Sequence, residues 1–401
     1  MTTPTPMSMP NLSNDAAPAD PTRSGSAQFS FAGRGDAAAL AERAAELRPW
    51  GGQVGPWRRR PGDAGVSDAV AYPMHPANYI ARGDLVHAVN TSLMLGKPLL
   101  LTGGPGTGKS QLAERIAWEF NLGPVLRFEA QSLSEAVDLF YRFDLVGYLA
   151  AVEMAKSRSG PEALPSREAF ARLGPLGQAI LRSEPSAAAS LFDALFGPVE
   201  SAADTPPRPS VVLIDEIDKA SRDFPNDLLN GIERMQFELP DLKRRLGVAP
   251  AHKPIVIVTS NQERELPPPF LRRCAFFHID DPTPEELAAI VARRFFAAPG
   301  AGSAGSSGSS AAAPSLPPAF DQLLQIFVQF RKRHSDELQY VPGTQELIDW
   351  TDTLRQRRLP ADAELLSRLD DLAQTVSAVV KHRDDQVLLR RFVQGLKPAT
   401  A

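Results

Sequence analysis

The sequence predicts an α/β protein whose parallel sheet is followed by a smaller all-helical part. Short runs of large apolar residues at 99–102, 211–214 and 255–258 have the composition of strands buried on both faces. Stretches with helical spacing separate these runs, and this alternation is typical of a parallel sheet covered by helices. From Thr283 onward only helical spacing remains, which predicts a second, all-α domain.

Periodicity and turn residues give the order of the elements. In the first part we expect a helix at 84–95, a strand at 99–102, a helix at 111–120, a strand at 125–128, a helix at 133–149, helical patches at 169–173, 177–181 and 187–195, a strand at 211–214, a helix at 226–235, a strand at 255–258 and a strand ending at Ile279. In the second part we expect helices at 318–334, 344–357, 362–382 and 384–395.

Composition shifts mark the domain boundaries. Residues 1–71 are interpreted as a disordered tail and linker, because 1–33 has few large apolar residues and 49–70 is rich in Gly, Pro and Arg. The stretch 36–48 is either a docking helix for a partner or a marginal helix in the tail, and its few large anchors favour the second. The rest divides into an α/β domain at 72–282, with a helical insert at 150–210 and a hairpin at 236–254, and a helical domain at 283–401 with a flexible Gly/Ser loop at 300–316.

Charge and cysteine content argue against several classes of protein. The formal net charge is −4, whereas a dedicated nucleic-acid binder needs a basic surface that neutralises phosphates. The only cysteine is Cys274, which excludes an internal disulfide and a cysteine-rich zinc cluster. The histidines lack the spacing of metal ligands. A nucleic-acid partner is therefore not expected, although a local basic patch stays open.

No segment has the pattern of a membrane span or an export signal. The sequence has no apolar run of about 18 residues, the length that would suggest a membrane helix. Residues 1–20 have no charged start followed by an apolar stretch. We therefore expect a cytoplasmic protein with no membrane partner.

Residues 103–110 match the pattern G-x-x-x-x-G-K-S between an apolar strand and a helix. Glycines let backbone N–H groups approach a phosphate, and the following helix presents its positive end to the same group. Lys109 would bring a charge to the β- and γ-phosphates, and Ser110 a hydroxyl to Mg²⁺. A plain glycine-rich turn is the alternative. The expected ATP-binding residues are Gly103, Gly104, Pro105, Gly106, Thr107, Gly108, Lys109, Ser110 and Gln111.

Two acidic residues, Asp215 and Glu216, follow the apolar run at 211–214. An acidic pair at the end of a buried strand, downstream of such a loop, suits a Walker B motif. Asp215 would hold Mg²⁺ together with Ser110, and Glu216 would polarise the attacking water. Acidic residues at strand ends are common, so this assignment depends on the loop that precedes it.

Further polar residues stand beside two other strands. Asn261 closely follows the run at 255–258. If that strand lies beside the Walker strands, Asn261 would reach the γ-phosphate or the attacking water. The alternative is an Asn that only forms a turn. Arg272 and Arg273 precede a strand, and they either face solvent or point at a neighbouring subunit, where an arginine neutralises charge in the transition state. The predicted catalytic residues are Lys109, Glu216, Asn261, Arg272 and Arg273.

These motifs resemble those of the MoxR-type AAA+ ATPases. The stretch 98–110 is similar to that family's first motif, and 213–220 is similar to its second. Residues 259–261 correspond to sensor 1, and 266–274 resemble the arginine-finger segment. The resemblance covers about 73–395 and leaves the N-terminal tail outside it.

The resemblance implies a P-loop α/β core, a small helical lid and a ring, usually a hexamer. ATP with Mg²⁺ would lie between subunits, with Arg272 or Arg273 acting in trans. Residues 150–205 and 236–254 are candidates for an insert and a hairpin found in the family. MoxR-type ATPases act as chaperones that mature partners or load metal into them, often beside proteins with a von Willebrand factor A domain. The expected function is therefore Mg²⁺-dependent ATP hydrolysis that remodels a protein partner.

One segment departs from the family pattern. Many AAA+ lids offer a sensor 2 arginine near the start of a helix, but 341–346 contains none. Arg355, Arg357 and Arg358 lie about three turns later. Either one of these substitutes, or the lid senses nucleotide weakly.

Two other functions stay open. A nucleotide-gated binding module with incidental hydrolysis fits the missing arginine slightly better. A DNA-directed motor of related fold has one support, the basic run at 243–245 at the expected hairpin tip. A solvated charged face is the commoner interpretation of such a run.

Overall fold

The computed structural model describes a defined part of the chain: residue 31 and the ranges 75–157, 164–197, 200–296 and 315–396. Two segments predicted from the sequence lie outside the described residues. The first is the expected tail apart from Phe31, including the stretch 36–48, and the second is the Gly/Ser-rich loop at 300–316 apart from its last two residues. Within the described ranges, no helix is both long enough and apolar enough to cross a membrane.

A five-stranded parallel sheet forms the centre of the first part. The strands of the described residues are β1 (Leu99–Gly103), β2 (Leu126–Glu129), β3 (Tyr141–Phe143), β4 (Ala171–Leu173), β5 (Val211–Asp215), β6 (Gln236–Leu239), β7 (Arg244–Gly247), β8 (Ile255–Ser260) and β9 (Ala275–Ile279). The main sheet has the order β2-β5-β8-β1-β9, and every pairing in it is parallel. The predicted parallel sheet is thus confirmed. Two antiparallel pairs, β3 with β4 and β6 with β7, lie outside this sheet.

Helices alternate with the sheet strands and then continue alone. They are α1 (Gly83–Leu95), α2 (Lys109–Glu119), α3 (Leu145–Ser157), α4 (Pro175–Ser183), α5 (Ala189–Phe196), α6 (Phe224–Arg234), α7 (Pro268–Leu271), α8 (Pro284–Phe295), α9 (Pro318–His334), α10 (Thr344–Gln356), α11 (Leu369–Gln374), α12 (Val376–Val379) and α13 (Arg383–Gly395). After β9 the described residues form helices and no strand, as the sequence predicts.

Both faces of the sheet are buried. Leu99 and Leu101 of β1 belong to one hydrophobic core, whereas Leu100 between them belongs to another. Successive strand residues point to opposite faces, so a strand covered on both faces is apolar at every position. A third core lies within α8 to α13 and includes the fully buried Trp350.

The carboxyl ends of β1, β5 and β8 meet at one edge of the sheet. Thr102 of β1 lies opposite Ser260 of β8, and Ile214 of β5 lies opposite Val258 of β8. Because these strands are parallel and adjacent, the segments that leave them converge at this edge. Ligands of open α/β sheets bind at such carboxyl edges.

Two stretches predicted to be helical form a strand pair instead. β3 pairs antiparallel with β4, so the helix predicted at 133–149 and the patch predicted at 169–173 are wrong in these parts. The segment 150–210, expected as a helical insert, thus contains β4 between α3 and α4. The ring of Tyr141 packs on that of Phe237 in β6, with centroids 6.2 Å apart. This contact between segments distant in sequence favours the strand, and local periodicity does not report it.

The single helix predicted at 362–382 is also wrong. The chain forms the separate helices α11 and α12 there, and Thr375 lies between them. Its hydroxyl donates to the carbonyl of Asp371 at 3.0 Å and accepts from the indole N–H of Trp350 at 2.9 Å. A hydroxyl that competes for a helical carbonyl weakens helix continuity.

Phe31 departs from the expected disorder of residues 1–33. Its side chain is 1% exposed, and its ring meets that of Phe120 edge-on with centroids 6.5 Å apart. The Asn90 side-chain amide in α1 accepts from the N–H of Phe31 at 2.7 Å and donates to its carbonyl at 3.0 Å. Phe31 itself is therefore anchored beside α1 and α2.

Candidate functional site

The loop between β1 and α2 uses backbone conformations that favour glycine. Gly103, Gly106 and Gly108 have φ angles of 143°, 76° and 87°. A Cβ on Gly103 would lie only 2.4 Å from the carbonyl oxygen of Ile279 in the neighbouring strand β9. The loop leads directly into the N-terminus of α2 at Lys109. A glycine loop entering a helix in this way is an anion-binding arrangement.

The Lys109 side chain folds back onto this loop. Its Nζ donates to the carbonyls of Gly103 at 2.8 Å and Gly104 at 2.7 Å. Burial lowers the pKa of Lys109, while the nearby carboxylates of Asp215 and Asp218 oppose that shift by favouring the charged form. The ammonium therefore lies between the loop and the acidic residues that follow β5.

Two hydroxyl groups hold the Asp215 carboxylate at the end of β5. Ser110 Oγ donates to its two oxygens at 2.9 and 3.0 Å. Thr259 Oγ1 in β8 donates to the same carboxylate, and it accepts from the backbone N–H of Glu216 at 2.9 Å. Thr259 is not among the predicted site residues, although it lies in the stretch 259–261 that resembles sensor 1.

Glu216 is held from two sides. Its φ of 55° is left-handed, a conformation that is uncommon for residues with a side chain and recurs at functional sites. Asn261 Nδ2 donates to its Oε1 at 3.2 Å, and Lys219 Nζ donates to its Oε2 at 2.5 Å. The hydrogen bond that Lys219 donates to Glu216 raises the pKa of Lys219. Lys219 is not among the predicted site residues either, although it lies in the stretch 213–220 that resembles the family's second motif.

Asp218 fixes the turn that carries Asn261. Its carboxylate is buried and accepts from the backbone N–H groups of Asn261 at 3.1 Å and Glu263 at 2.9 Å. A buried carboxylate with two backbone donors is well satisfied and holds them in place. Asp218 lies in the stretch 213–220 that resembles the family's second motif, but nothing in the sequence shows which groups its carboxylate holds.

One cleft of about 230 Å³ brings most of the predicted residues together. It is lined by residues 105–111, Asp215, Glu216, Thr259, Asn261 and Gln345. Gly103 and Gly104 do not line this cleft, and their carbonyls face the Lys109 ammonium instead. The predicted phosphate, metal and water-activating residues thus share one site.

Arg272 and Arg273 do not line this cleft. Arg273 Nε contacts Glu233 Oε2 in α6 at 3.0 Å, and its Nη1 donates to the carbonyl of Pro269 at 3.1 Å. The Arg272 side chain is exposed. Its guanidinium makes no hydrogen bond or ion pair with the described residues of the chain. The two adjacent arginines therefore differ in their contacts. The guanidinium of Arg273 is held by described residues of its own chain, and that of Arg272 is not.

The candidate sensor 2 arginines also lie away from the cleft. The guanidinium of Arg355 lies over the rings of Phe295 and Phe296, at 4.9 and 5.8 Å from their centroids. Arg357 donates to Gln374 at 3.0 Å. From the described C-terminal helices, the residue that does line the cleft is Gln345 in the first turn of α10. The segment 341–346, which contains no arginine, thus places a neutral amide in the cleft.

A second cavity of about 240 Å³ adjoins the loop on the side of the C-terminal helices. Tyr79 and Ile290 contribute apolar surface to it, and the charged residues that line it are Arg82, Glu286 and Arg294. A mostly apolar cavity with a few polar groups, beside a phosphate loop, has the character of a site for a nucleotide base. Its residues come from four separate stretches of the chain, so no local motif reveals them.

The basic run at 243–245 does not form the expected hairpin tip. Lys243 alone lies in the turn, because β7 begins at Arg244. Arg244 pairs with Glu168 at 2.9 Å, and Arg245 lies opposite Glu238 in the β6–β7 register. The run therefore gives little support to a DNA-directed motor.

The fold and this site define a P-loop nucleotide-binding protein, because the glycine loop, Ser110, Asp215 and Asn261 converge at the carboxyl edge of a parallel sheet. Residues 99–280 match the family model described as "ATPase family associated with various cellular activities (AAA)". The chain therefore contains an AAA family ATPase domain. Such domains use nucleotide, usually with Mg²⁺, and typically assemble into rings.

Solved structures to which this chain is similar include RuvB proteins of Thermotoga maritima. A RuvB point mutant is 15% identical, with a TM-score of 0.32, and the alignment covers 76% of this chain and 79% of that chain. The "RuvB Holliday junction branch migration motor" is 16% identical, with a TM-score of 0.28 and 73% coverage of both chains. No curated protein matches the sequence.

Proposed function

We propose that this protein is a Mg²⁺-dependent ATPase of the MoxR type that works as a ring and remodels, matures or chaperones a partner protein. Residues 72–282 would be its ATPase domain and 283–401 its lid. The observation that carries the proposal is the single cleft that joins the glycine loop to Asp215, Glu216 and Asn261. A glycine loop alone supports phosphate binding, whereas the added carboxylate and amide support hydrolysis.

The side chains of the cleft fit Mg²⁺ and a triphosphate. Ser110 and Asp215 offer hydroxyl and carboxylate oxygens within 3.0 Å of each other, and Mg²⁺ binds such oxygens together with those of a phosphate. When bound, the ion would neutralise charge on the β- and γ-phosphates. The loop would add backbone N–H groups, and Lys109 would add its ammonium.

In this proposal Glu216 is the general base. A water oxygen bonds to the γ-phosphorus while the bond from that phosphorus to the bridging oxygen breaks, so ADP and phosphate form. Glu216 takes the proton that the water loses. Asn261 keeps the carboxylate oriented through its 3.2 Å hydrogen bond.

A neighbouring subunit completes the site in this proposal. Neither arginine of the 272–273 pair lines the cleft of its own chain, so we assign the transition-state arginine to a second copy in the ring. Arg272 fits that role better than Arg273, because Glu233 already holds Arg273. An arginine supplied in trans offsets charge on the transferring phosphoryl group.

Exposed apolar side chains on α3 support a protein partner. Val146 and Met154 are 80% and 69% exposed on this helix, and Leu149 is also exposed. Clustered exposed apolar groups mark contacts with proteins, whereas DNA contacts require basic groups. We therefore expect a protein client or a von Willebrand factor A domain partner, as the family resemblance implies.

A nucleotide-gated assembly module is the second candidate. Lys219 holds Glu216 at 2.5 Å, and the described C-terminal helices contribute a neutral residue, Gln345, to the cleft. An ion pair on the general base and the lack of a second cation would both slow hydrolysis. Nucleotide binding would then serve mainly to fix an assembly.

The variant Glu216→Gln tests the proposal. We expect Mg²⁺-dependent ATP binding to stay within about twofold of wild type, while phosphate release falls at least about 100-fold because the general base is lost. Glu263→Gln, an exposed acid in the next loop, is the matched control and should turn over normally. Unchanged turnover in Glu216→Gln would rule out this base.

Turnover as a function of protein concentration separates the two candidates. A remodelling ring should hydrolyse ATP faster per subunit as rings form, and faster again with its partner. Single-turnover hydrolysis that neither protein concentration nor any partner stimulates would favour the gated module.

A further inference from the structure

A single aromatic residue from the N-terminal region is bound in the α/β part of the fold. Phe31 is 1% exposed, and its ring belongs to the hydrophobic core that α1, β1 and α2 share. It meets the ring of Phe120, at the end of α2, in the edge-on geometry that aromatic pairs favour. Phe31 is thus packed into this core, although the next described residue along the chain is His75.

The main chain of Phe31 is bound as well as its ring. Asn90 Oδ1 accepts from the Phe31 N–H at 2.7 Å, and Asn90 Nδ2 donates to the Phe31 carbonyl at 3.0 Å. A side-chain amide carries both an acceptor and donors, so one residue of α1 satisfies both main-chain groups of Phe31. We call Asn90, Phe120 and the core between α1 and α2 the Phe31 seat. The seat recognises an aromatic ring together with its own N–H and carbonyl.

The sequence around Phe31 has the composition of a short binding motif. Phe29 and Phe31 are the only large apolar residues between positions 13 and 39. The stretches 24–27 and 32–35 on either side consist of Ser, Gly, Ala and Arg. A stretch of this kind has too few apolar side chains to form a core of its own. Its aromatic residues therefore gain burial only by binding to a folded surface.

The seat is built by elements that pack on one another without Phe31. Val89 of α1 and Ile116 of α2 are buried in the same core as Leu101 of β1. These three elements are consecutive in the chain. Because both helices share a core with the strand between them, we expect the seat to persist when the aromatic residue leaves it.

We propose that the Phe31 seat is a docking site for a short aromatic motif, and that its occupant is the N-terminal segment 24–38 of the same chain. The motif is a phenylalanine with small neighbours, whose N–H and carbonyl both pair with Asn90. The site is separate from the nucleotide cleft and the adjoining cavity, because neither Asn90 nor Phe120 lines them. The N-terminal segment is therefore a ligand of the α/β part, and a protein that captures this segment must compete with the seat.

A fluorescent peptide of residues 24–38, followed by anisotropy, tests the seat in the full chain. In the Phe31→Ala chain the seat is vacant. We expect that chain to bind the peptide at least about tenfold more tightly than the wild-type chain, whose own Phe31 competes at a high effective concentration. A peptide with Phe31→Ala should lose at least about tenfold in affinity, because the buried ring is gone. The Phe29→Ala peptide keeps Phe31 and is the matched control, so it should bind within about threefold of the parent peptide.

Asn90→Ala, added to the Phe31→Ala chain, should weaken peptide binding about tenfold, because two main-chain groups lose their partner. Thr91→Ala is the matched control on the chain: it alters the next residue of α1, which is exposed, and should leave peptide binding unchanged. Equal affinity of the parent peptide and the Phe31→Ala peptide would overturn the docking site. Failure of a folded Phe31→Ala chain to bind the parent peptide would overturn it as well.

Amide hydrogen exchange of the wild-type chain tests the same contact without vacating the seat, so a folding defect in Phe31→Ala does not decide the result. The Phe31 N–H should exchange at least about tenfold more slowly than in the free peptide, and Asn90→Ala should remove this protection. An unprotected Phe31 N–H would overturn the proposal. Protection that is lost on dilution would show that Phe31 of a second copy fills the seat, which would overturn the assignment to the same chain. None of these measurements uses nucleotide, so they stand apart from the proposed ATPase activity.

Discussion

The Asn261 side-chain amide donates to the Glu216 carboxylate at 3.2 Å, although 45 residues separate them in the chain. Each residue follows a strand of the same sheet, β5 for Glu216 and β8 for Asn261. Because these strands pair in parallel, the residues after them meet at one edge. The pair therefore depends on the topology of the sheet.

We expect Asn261→Ala to lower ATP turnover about 100-fold while ATP affinity changes little, because the general base loses its orienting hydrogen bond. Phosphate release and equilibrium binding of a fluorescent ATP analogue measure the two effects. Glu263→Ala, an exposed neighbour, should behave as wild type. Equal loss of binding and turnover in Asn261→Ala would mean that Asn261 holds the nucleotide rather than the base.

Arg272→Ala should lower turnover about 1,000-fold, the effect expected for a transition-state arginine. Mixing this variant with Glu216→Gln should restore part of the activity, because some interfaces in mixed rings then combine an intact Glu216 with an intact Arg272. A mixture without activity would contradict action in trans.

Arg273→Ala is the matched control for that experiment. Its ion pair with Glu233 is partly exposed, so its loss should change the free energy of unfolding by no more than about 1 kcal/mol. Turnover should stay within a few-fold of wild type. A large loss of turnover in Arg273→Ala alone would exchange the roles of the two arginines.

Phe31→Ala should lower the free energy of unfolding by about 2 kcal/mol, because a buried aromatic ring leaves a core shared with α1 and α2. Urea denaturation followed by circular dichroism measures the change. Leu133→Ala, at a position 92% exposed, should leave stability unchanged. An unchanged denaturation midpoint in Phe31→Ala would show that the anchor contributes nothing in solution.

Cys274 should react with iodoacetamide much more slowly in the folded protein than in denaturant. Burial raises its pKa from about 9 to about 12, and the thiolate is the reactive form. Because the folded pKa is the higher one, the thiol contributes stability that is full below about pH 9 and is lost as pH rises towards 12. The alkaline loss of stability should therefore be smaller in Cys274→Ala, and rapid alkylation of the folded chain at pH 8 would contradict the burial.

Much of the fold followed from local pattern. The apolar runs at 99–102, 211–214 and 255–258 became central strands, and α9 has the bounds predicted for it. The strands are buried over most of their length, so their composition alone reports their environment. The helix α9 buries one face, and its apolar residues recur at helical spacing. The predictions failed at β3, at β4 and at Thr375, where contacts with Phe237 and Trp350 outweigh local periodicity.

The sequence by itself determined the glycine loop, the acidic pair at the end of β5 and the amide after β8, because each is a short motif whose chemistry needs particular residues at fixed spacing. Only the tertiary structure decided which groups hold them. Three contacts illustrate this: the ion pair of Lys219 with Glu216, the ion pair of Arg273 with Glu233, and the hydrogen bond of Arg294 with Gln111. No motif predicts that these side chains meet. Such contacts depend on how the strands and helices pack, and that packing is a property of the whole chain.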